Sequence, residues 1–274
     1  MWVLSEAKSR GHDVSDALSE MTRWTKERLA SIDKPRDARP GWTMVNTPAL
    51  YLALMSEALP SQEALTPADL EGIAGHLVRH QEADGSWAWS LAPAANRPPP
   101  VFESDEVVTL MAETVLGSRA RAETVGPSPA REAHSRATAW LEANTKPGAS
   151  TQATAIRLFR DVRAGAPPED CRRGVERPLT LQNEDGGWGQ LDDLPSDAYA
   201  TGQALYFLSL AGVERDRAEI RKGVAFLVAT QKSDGSWPMT SRAHPGAKPF
   251  KSPIPITYFG SAWATLGLLR STLR

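Results

Sequence analysis

Two kinds of segment alternate along this chain. In the first, residues are apolar or small nearly all the way round a helical wheel: 46–59, 104–116, 150–159, 196–212 and 257–269. In the second, apolar positions recur with a helical period on a charged background: 67–81, 129–143, 168–182 and 217–231. Ile220, Val224, Phe226 and Leu227 illustrate that spacing. The periodic segments predict amphipathic α-helices, and the all-round apolar ones predict helices enclosed on several sides. Pro, Ser, Thr or Asp opens most of them, as helix capping requires. No convincing strand pattern is present.

The alternation repeats with a motif. Gln, three residues, Gly, one residue, Trp occurs in "HQEADGSWAW" (80–89), "LQNEDGGWGQ" (181–190) and "TQKSDGSWPM" (230–239). The first two glutamines are 101 residues apart and the last two 49. The period is therefore half the longer interval, with a worn copy ending near "TAWLEANTKPG" (138–148) and another near "RWTKERLASID" (23–33). Five units fit the chain, and in four of them an enclosed helix is followed by an amphipathic one. Such a series builds either a closed ring, with an inner layer wrapped by an outer one, or a linear solenoid. Full enclosure of the first helix type favours the ring: an all-α, α/α toroid of about five to six helix pairs. The motif itself predicts a clamp. Its Gln ends an outer helix and can bond the next turn, its Gly supplies positive φ, and its Trp packs between outer helices.

Composition narrows the partners. With 274 residues, 41% of them apolar, the chain is large enough for one full core, and it reads as a single domain over 1–274, with or without an upstream segment. A net charge of −2 without a Lys/Arg-rich run argues against nucleic acid. No apolar run is long enough for a membrane helix. The start "MWVLSEAKSRGH" has no signal-peptide pattern and reads as a helix already under way. These features point to a cytoplasmic protein, or to one whose upstream segment has been removed. The single Cys171 permits neither an internal disulfide nor a Cys-rich zinc site. The scattered histidines 12, 76, 80, 134 and 244 form no believable metal set, and no cofactor motif is present.

"RKGVAFLVATQKSDGSW" (221–237) closely resembles the QW motif of squalene–hopene cyclases and related triterpene cyclases, and "VERPLTLQNEDGGWG" (175–189) and "GHLVRHQEADGSW" (75–87) are further copies. The resemblance implies an α/α toroid. That superfamily includes oxidosqualene cyclases, diterpene cyclase β domains and prenyltransferase β subunits, and one fold there hosts several chemistries.

All enclosed helices begin after a clamp turn, so the toroid reading brings their N-termini to one mouth. "FESDEVVTLMA" (102–112) is the first candidate site there. The resemblance aligns Glu103-Ser104-Asp105-Glu106 with the Asp-x-Asp-Asp motif of class II cyclases. That makes Asp105 the proton donor and Glu103 and Glu106 supporting acids. An acid that protonates carbon must stay protonated until used, which neighbouring acids and burial favour. The sequence departs from the family at Val107, where Thr is usual, and at both glutamates. The competing reading makes Ser104 a helix cap and Asp105 and Glu106 first-turn acids. In "DLPSDAYATGQAL" (193–205), Asp197 and Thr201 match the same motif, but Tyr199 stands at the donor position. These three are expected to bind substrate, or else to cap and fill a core helix. The Pro-rich "HPGAKPFKSPIPITYFG" (244–260) offers Phe250, Tyr258 and Phe259 as aromatic lining, or is a surface loop. "LDDLPSD" (191–197) spaces its acids one residue too widely for a magnesium motif.

The leading expectation is a small, atypical class II terpene cyclase-like protein enclosing an apolar isoprenoid. It needs no cofactor, and magnesium enters only with a bound diphosphate. The alternatives are a non-catalytic toroid that binds an apolar ligand or a protein, and a carbohydrate-active barrel using the same carboxylates with Asp197 as acid and base.

Overall fold

A computed structural model describes residues 1–30, 47–88, 104–122, 126–144, 150–240 and 254–272. Among them are eleven helices. In chain order these are α1 (Trp2–Ser9), α2 (Ser15–Leu29), α3 (Thr47–Ala58), α4 (Pro67–Arg79), α5 (Asp105–Ala122), α6 (Pro129–Asn144), α7 (Thr151–Ala164), α8 (Pro168–Thr180), α9 (Ala198–Leu210), α10 (Ala218–Thr230) and α11 (Ile254–Thr272). The nine helices α3–α11 fall where the two hydrophobic patterns place them. One small departure is an antiparallel pairing of β1 (Trp188–Gly189) with β2 (Ser196–Asp197). It is too short to carry a period, so the pattern of polar and apolar residues does not announce it.

The chain divides into two compact units. One carries α1–α6 and the other α7–α11. In the first, α5 is buried continuously from Val107 to Gly117 and packs against α3 and α6. In the second, every residue of α9 from Ala198 to Leu208 is buried, and α9 packs against α7, α10 and α11. By contrast, α10 buries only Ile220, Gly223 and Leu227, the stripe expected of an amphipathic outer helix. α9 and α11 approach so closely that a Cβ added to Gly202 would stand 2.2 Å from the carbonyl carbon of Trp263. Among the described residues no helix is long and apolar enough to cross a membrane.

The Gln-Gly-Trp motif forms the same clamp three times. Gln81, Gln182 and Gln231 each donate Nε2–H to the carbonyl four residues on, at Gly85 (3.0 Å), Gly186 (2.8 Å) and Gly235 (3.0 Å). Those glycines have φ of 96°, 86° and 83°, the left-handed region that a side chain strains. Gln81 and Gln182 also reach the next outer helix, at Ala133 O (2.8 Å) and Glu219 O (2.7 Å). Each indole Nε1–H donates ten residues back, from Trp87 to Leu77 O (2.9 Å), Trp188 to Pro178 O (2.7 Å) and Trp237 to Leu227 O (2.7 Å). Each Trp backbone N–H in turn donates to a hydroxyl on the next inner helix: Thr109 Oγ1 (3.1 Å), Thr201 Oγ1 (2.9 Å) and Ser261 Oγ (2.9 Å). The motif thus ties one outer helix, one turn and the following inner helix together. Burying each indole removes on the order of 200 Å² from water, about 5 kcal/mol before entropy is charged against it.

Candidate functional site

In the unit carrying α1–α6, α5 begins at Asp105. The Ser104 hydroxyl accepts from Val107 N at 3.3 Å, so Ser104 caps the helix. Asp105 and Glu106 follow in the first turn, both half-buried. Beyond them Val107–Gly117 are buried, most of them apolar but with Thr109, Glu113 and Thr114 among them. Glu103 and Phe250 lie outside the described residues.

In the unit carrying α7–α11, Asp197 is the most constrained carboxylate of the candidate set. It is 6% exposed and caps α9, with Oδ1 accepting from Ala200 N at 2.8 Å. Its Oδ2 accepts from Gln190 Nε2 (2.6 Å) and from Thr240 N (2.8 Å). Burial pushes the Asp197 carboxyl above the ordinary carboxylate range, while these N–H donors pull it back. Gln190 spends its second Nε2 hydrogen on Thr240 O at 2.8 Å, so the cluster ties the chain after Trp237 to the start of α9.

Tyr199, the residue at the expected donor position, is 1% exposed, and its hydroxyl accepts from Gln152 Nε2 of α7 at 2.9 Å. Thr201 belongs to the Trp188 clamp; its hydroxyl equates with those of Thr109 and Ser261 rather than facing open space. Tyr258 is 58% exposed at the start of α11 and meets Phe259 edge-on, ring centroids 5.4 Å apart.

Sequence reasoning missed an aromatic cluster deeper in this unit. Phe207 of α9 lies 5.3 Å from Phe159 of α7 and 5.6 Å from Trp263 of α11. Tyr206 stands 6.0 Å from Trp263, and the Arg270 guanidinium lies 5.3 Å over its ring. These residues come from separate repeats, so no local spacing links them. Among the described residues no group of three or more His, Cys, Asp or Glu side chains is placed to hold a metal ion.

No family model matches the chain. Curated relatives do. A squalene–hopene cyclase from Bradyrhizobium diazoefficiens is 35% identical over 77 residues, 24% of this chain and 12% of that protein. Drimenyl diphosphate synthase from Streptantibioticus cattleyicolor is 28% identical over 179 residues, 57% of this chain and 32% of that protein. This chain thus matches well under two thirds of the length of either relative. These matches agree with the triplicate clamp. The chain is squalene–hopene cyclase-like.

Solved structures are similar in fold over 98% of this chain. The type II terpene cyclase MstE from Scytonema, in complex with geranylgeranyl dihydroxybenzoate as substrate, superposes with a TM-score of 0.55 at 16% identity, covering 98% of this chain and 86% of that one. A possible member of the GH105 family from Salmonella enterica superposes with a TM-score of 0.61 at 18% identity, covering 98% and 80%. At these identities the likeness is one of fold. The cyclase-like chain is an all-α protein of the α/α toroid class, a fold that terpene cyclases and glycosidases share.

Proposed function

We propose that this chain encloses an apolar isoprenoid and cyclises it by protonation, with Asp105 as the acid and Glu106 and Glu103 as its neighbours. The observation that carries the reading is the position of Asp105, half-buried in the first turn of a helix whose next eleven residues, Val107–Gly117, are buried. That is where a carboxyl group meets an apolar chain. The matched relatives favour this chemistry over carbohydrate chemistry, because the sequence likeness is to cyclases and the glycosidase likeness is one of fold.

In the proposed step the Asp105 carboxyl O–H gives its proton to a terminal alkene carbon. The π electrons form the new C–H bond and leave a carbocation at the adjacent carbon. A second alkene closes a ring onto that cation, the cyclised cation loses a proton to water to give the neutral product, and the Asp105 carboxylate takes a proton back from solvent. No cofactor takes part; magnesium enters only as the counter-ion of a diphosphate substrate.

A second reading has its own support. Ser104 caps α5, and Tyr199 occupies the donor position of the other candidate segment with its hydroxyl bonded to Gln152. Both favour a toroid that binds an isoprenoid without turning it over. One experiment separates the two readings. Wild type and Asp105→Asn are incubated with farnesyl diphosphate, geranylgeranyl diphosphate and squalene, with and without magnesium, and products are read by gas chromatography–mass spectrometry. A cyclic product that disappears in Asp105→Asn supports the cyclase. No product from the wild type, with Asp105→Asn changing only the melting temperature, leaves the binding toroid.

A further inference from the structure

We propose that the exposed surface made by Val228 of α10 and the clamp turn 231–237 docks an amphipathic helix of a partner protein. That helix carries a basic residue followed by a small one, then an aromatic residue and Leu three and four positions after the small one. The inference does not depend on whether the chain is catalytic.

The three clamps share one chemistry but are not equally covered. Three residues before the clamp Gln, Leu179 is 7% exposed and Val78 is half-buried, whereas Val228 is 63% exposed. Gly85 and Gly186 are buried, and Gly235 is exposed. A Cβ added to Gly85 would stand 2.6 Å from Arg136 O of α6, and one added to Gly186 would stand 2.9 Å from Lys222 Cβ of α10. One added to Gly235 would meet only Nε2 of Gln231, at 3.9 Å. Gln81 and Gln182 each bond a carbonyl of the following outer helix, while among the described residues Gln231 Nε2 reaches Gly235 O alone. Thus two clamps seat an outer helix, and the third turns the same groups and an apolar side chain to solvent.

The two seated helices define what the surface recognises. They align on the carbonyl that accepts from the clamp Gln, Ala133 in α6 and Glu219 in α10. Three residues on, Arg136 and Lys222 lie over the clamp glycine, and Arg136 also donates to Gln81 Oε1. Four on, the residue is small, Ala137 or Gly223; at Gly223 a Cβ would stand 2.7 Å from the Trp188 ring. Seven on, it is aromatic. Trp140 donates its indole N–H to Asp84 Oδ2 at 3.1 Å, and Phe226 lies against Gly187, whose Cβ would be 3.0 Å from its ring. Eight on, Leu141 and Leu227 are buried. The third turn presents matching partners. Asp234 Oδ1 accepts from Ser236 N (3.0 Å) and Oγ (2.7 Å), as Asp84 Oδ1 accepts from Ser86 N (2.9 Å) and Oγ (2.7 Å). An incoming indole therefore finds the same carboxylate, and an incoming guanidinium the same amide oxygen.

The occupant follows from the sequence. Basic, small, two residues, aromatic, Leu occurs at 136–141 and 222–227 and nowhere else in the 274 residues. Both copies sit in helices already seated on clamps. A second copy of this chain has no such helix to offer without unseating its own, so the helix comes from a different protein. The interface it makes is one this chain already builds twice.

The probe is a synthetic peptide of residues 129–144, the sequence of α6, labelled with fluorescein. It is stapled between positions 135 and 139, both exposed in the seated helix, so that the helix is formed before binding. Wild-type protein is titrated into it and fluorescence anisotropy is read. Saturable binding of one peptide per chain is expected. Val228→Asp places a charge in the apolar contact and should weaken binding about tenfold or more, while its melting temperature matches wild type because the position is exposed. Trp140→Ala in the peptide should weaken binding to a similar extent. No saturable binding, or binding that Val228→Asp leaves intact, would overturn the inference. So would a wild type that self-associates in analytical ultracentrifugation and becomes monomeric with Val228→Asp, because a second copy would then be the occupant.

Discussion

Gly202→Ala should cost stability although it replaces a poor helix former with the best one. Gly202 sits in the middle of α9 where α11 crosses it. A Cβ there would lie 2.2 Å from the carbonyl carbon and oxygen of Trp263 and 2.6 Å from Ala264 N. Those atoms are backbone and cannot rotate aside. Gly267 faces back across the same crossing, with a Cβ position 2.9 Å from Gly202 O. To move from 2.2 Å to ordinary contact the helices must part by more than about 1 Å, and overpacking of this kind costs about 1–3 kcal/mol, the upper end being appropriate where backbone meets backbone. The gain in helix propensity returns about 1 kcal/mol. The net expectation is a loss of about 2 kcal/mol, or a melting temperature lower by about 4–8 °C. Gly72→Ala in α4 is the matched control, because its Cβ would meet nothing within 4 Å. There the propensity term acts alone and should stabilise by about 0.5–1 kcal/mol. Thermal melts followed by far-UV circular dichroism read both variants. If Gly202→Ala melts at or above wild type, α9 and α11 do not cross with backbone against backbone at Gly202.

Two further outcomes follow from the clamp and the buried carboxylate. Thr201→Val keeps the shape of the side chain but strands the buried Trp188 N–H, which now bonds the hydroxyl at 2.9 Å; it should cost about 1–3 kcal/mol in a urea titration, and unchanged stability would return Thr201 to the substrate-binding set. Asp197 has a folded-state carboxyl raised by burial, so its contribution is full below the ordinary carboxylate pKa and is lost as pH rises through the raised value. The melting-temperature advantage of wild type over Asp197→Asn should therefore shrink from about pH 4 upward; an advantage that grows with pH would mean that the N–H donors outweigh burial.

Much of this protein is legible in its sequence because its grammar is local. Helix periodicity, caps and the Gln-Gly-Trp motif act within one turn or about ten residues, so Gln182, Gly186 and Trp188 announce a clamp before any tertiary contact is known. The N-terminal helix and the enclosed character of α5 and α9 were readable for the same reason. Repetition then multiplied a weak local signal into a superfamily resemblance.

What the sequence left open depends on which distant segments meet. Asp197 reads as an ordinary helix cap, and only the approach of Gln190 and Thr240 makes it a buried junction. Tyr199 reads as a displaced acid, and only α7 supplies the Gln152 that holds its hydroxyl. Phe159, Phe207 and Trp263 belong to three repeats and carry no shared spacing, so their cluster exists only once the helices pack. Gln203 is the sharpest case. Its sequence context says only that one polar residue interrupts an apolar helix, whereas the packing of α7, α9 and α11 leaves that amide buried without a partner. Sequence by itself determined the helices and their clamps, because those are fixed by bonds between near neighbours. Tertiary structure decided which polar groups are satisfied and which are not, because that depends on every element packed around them.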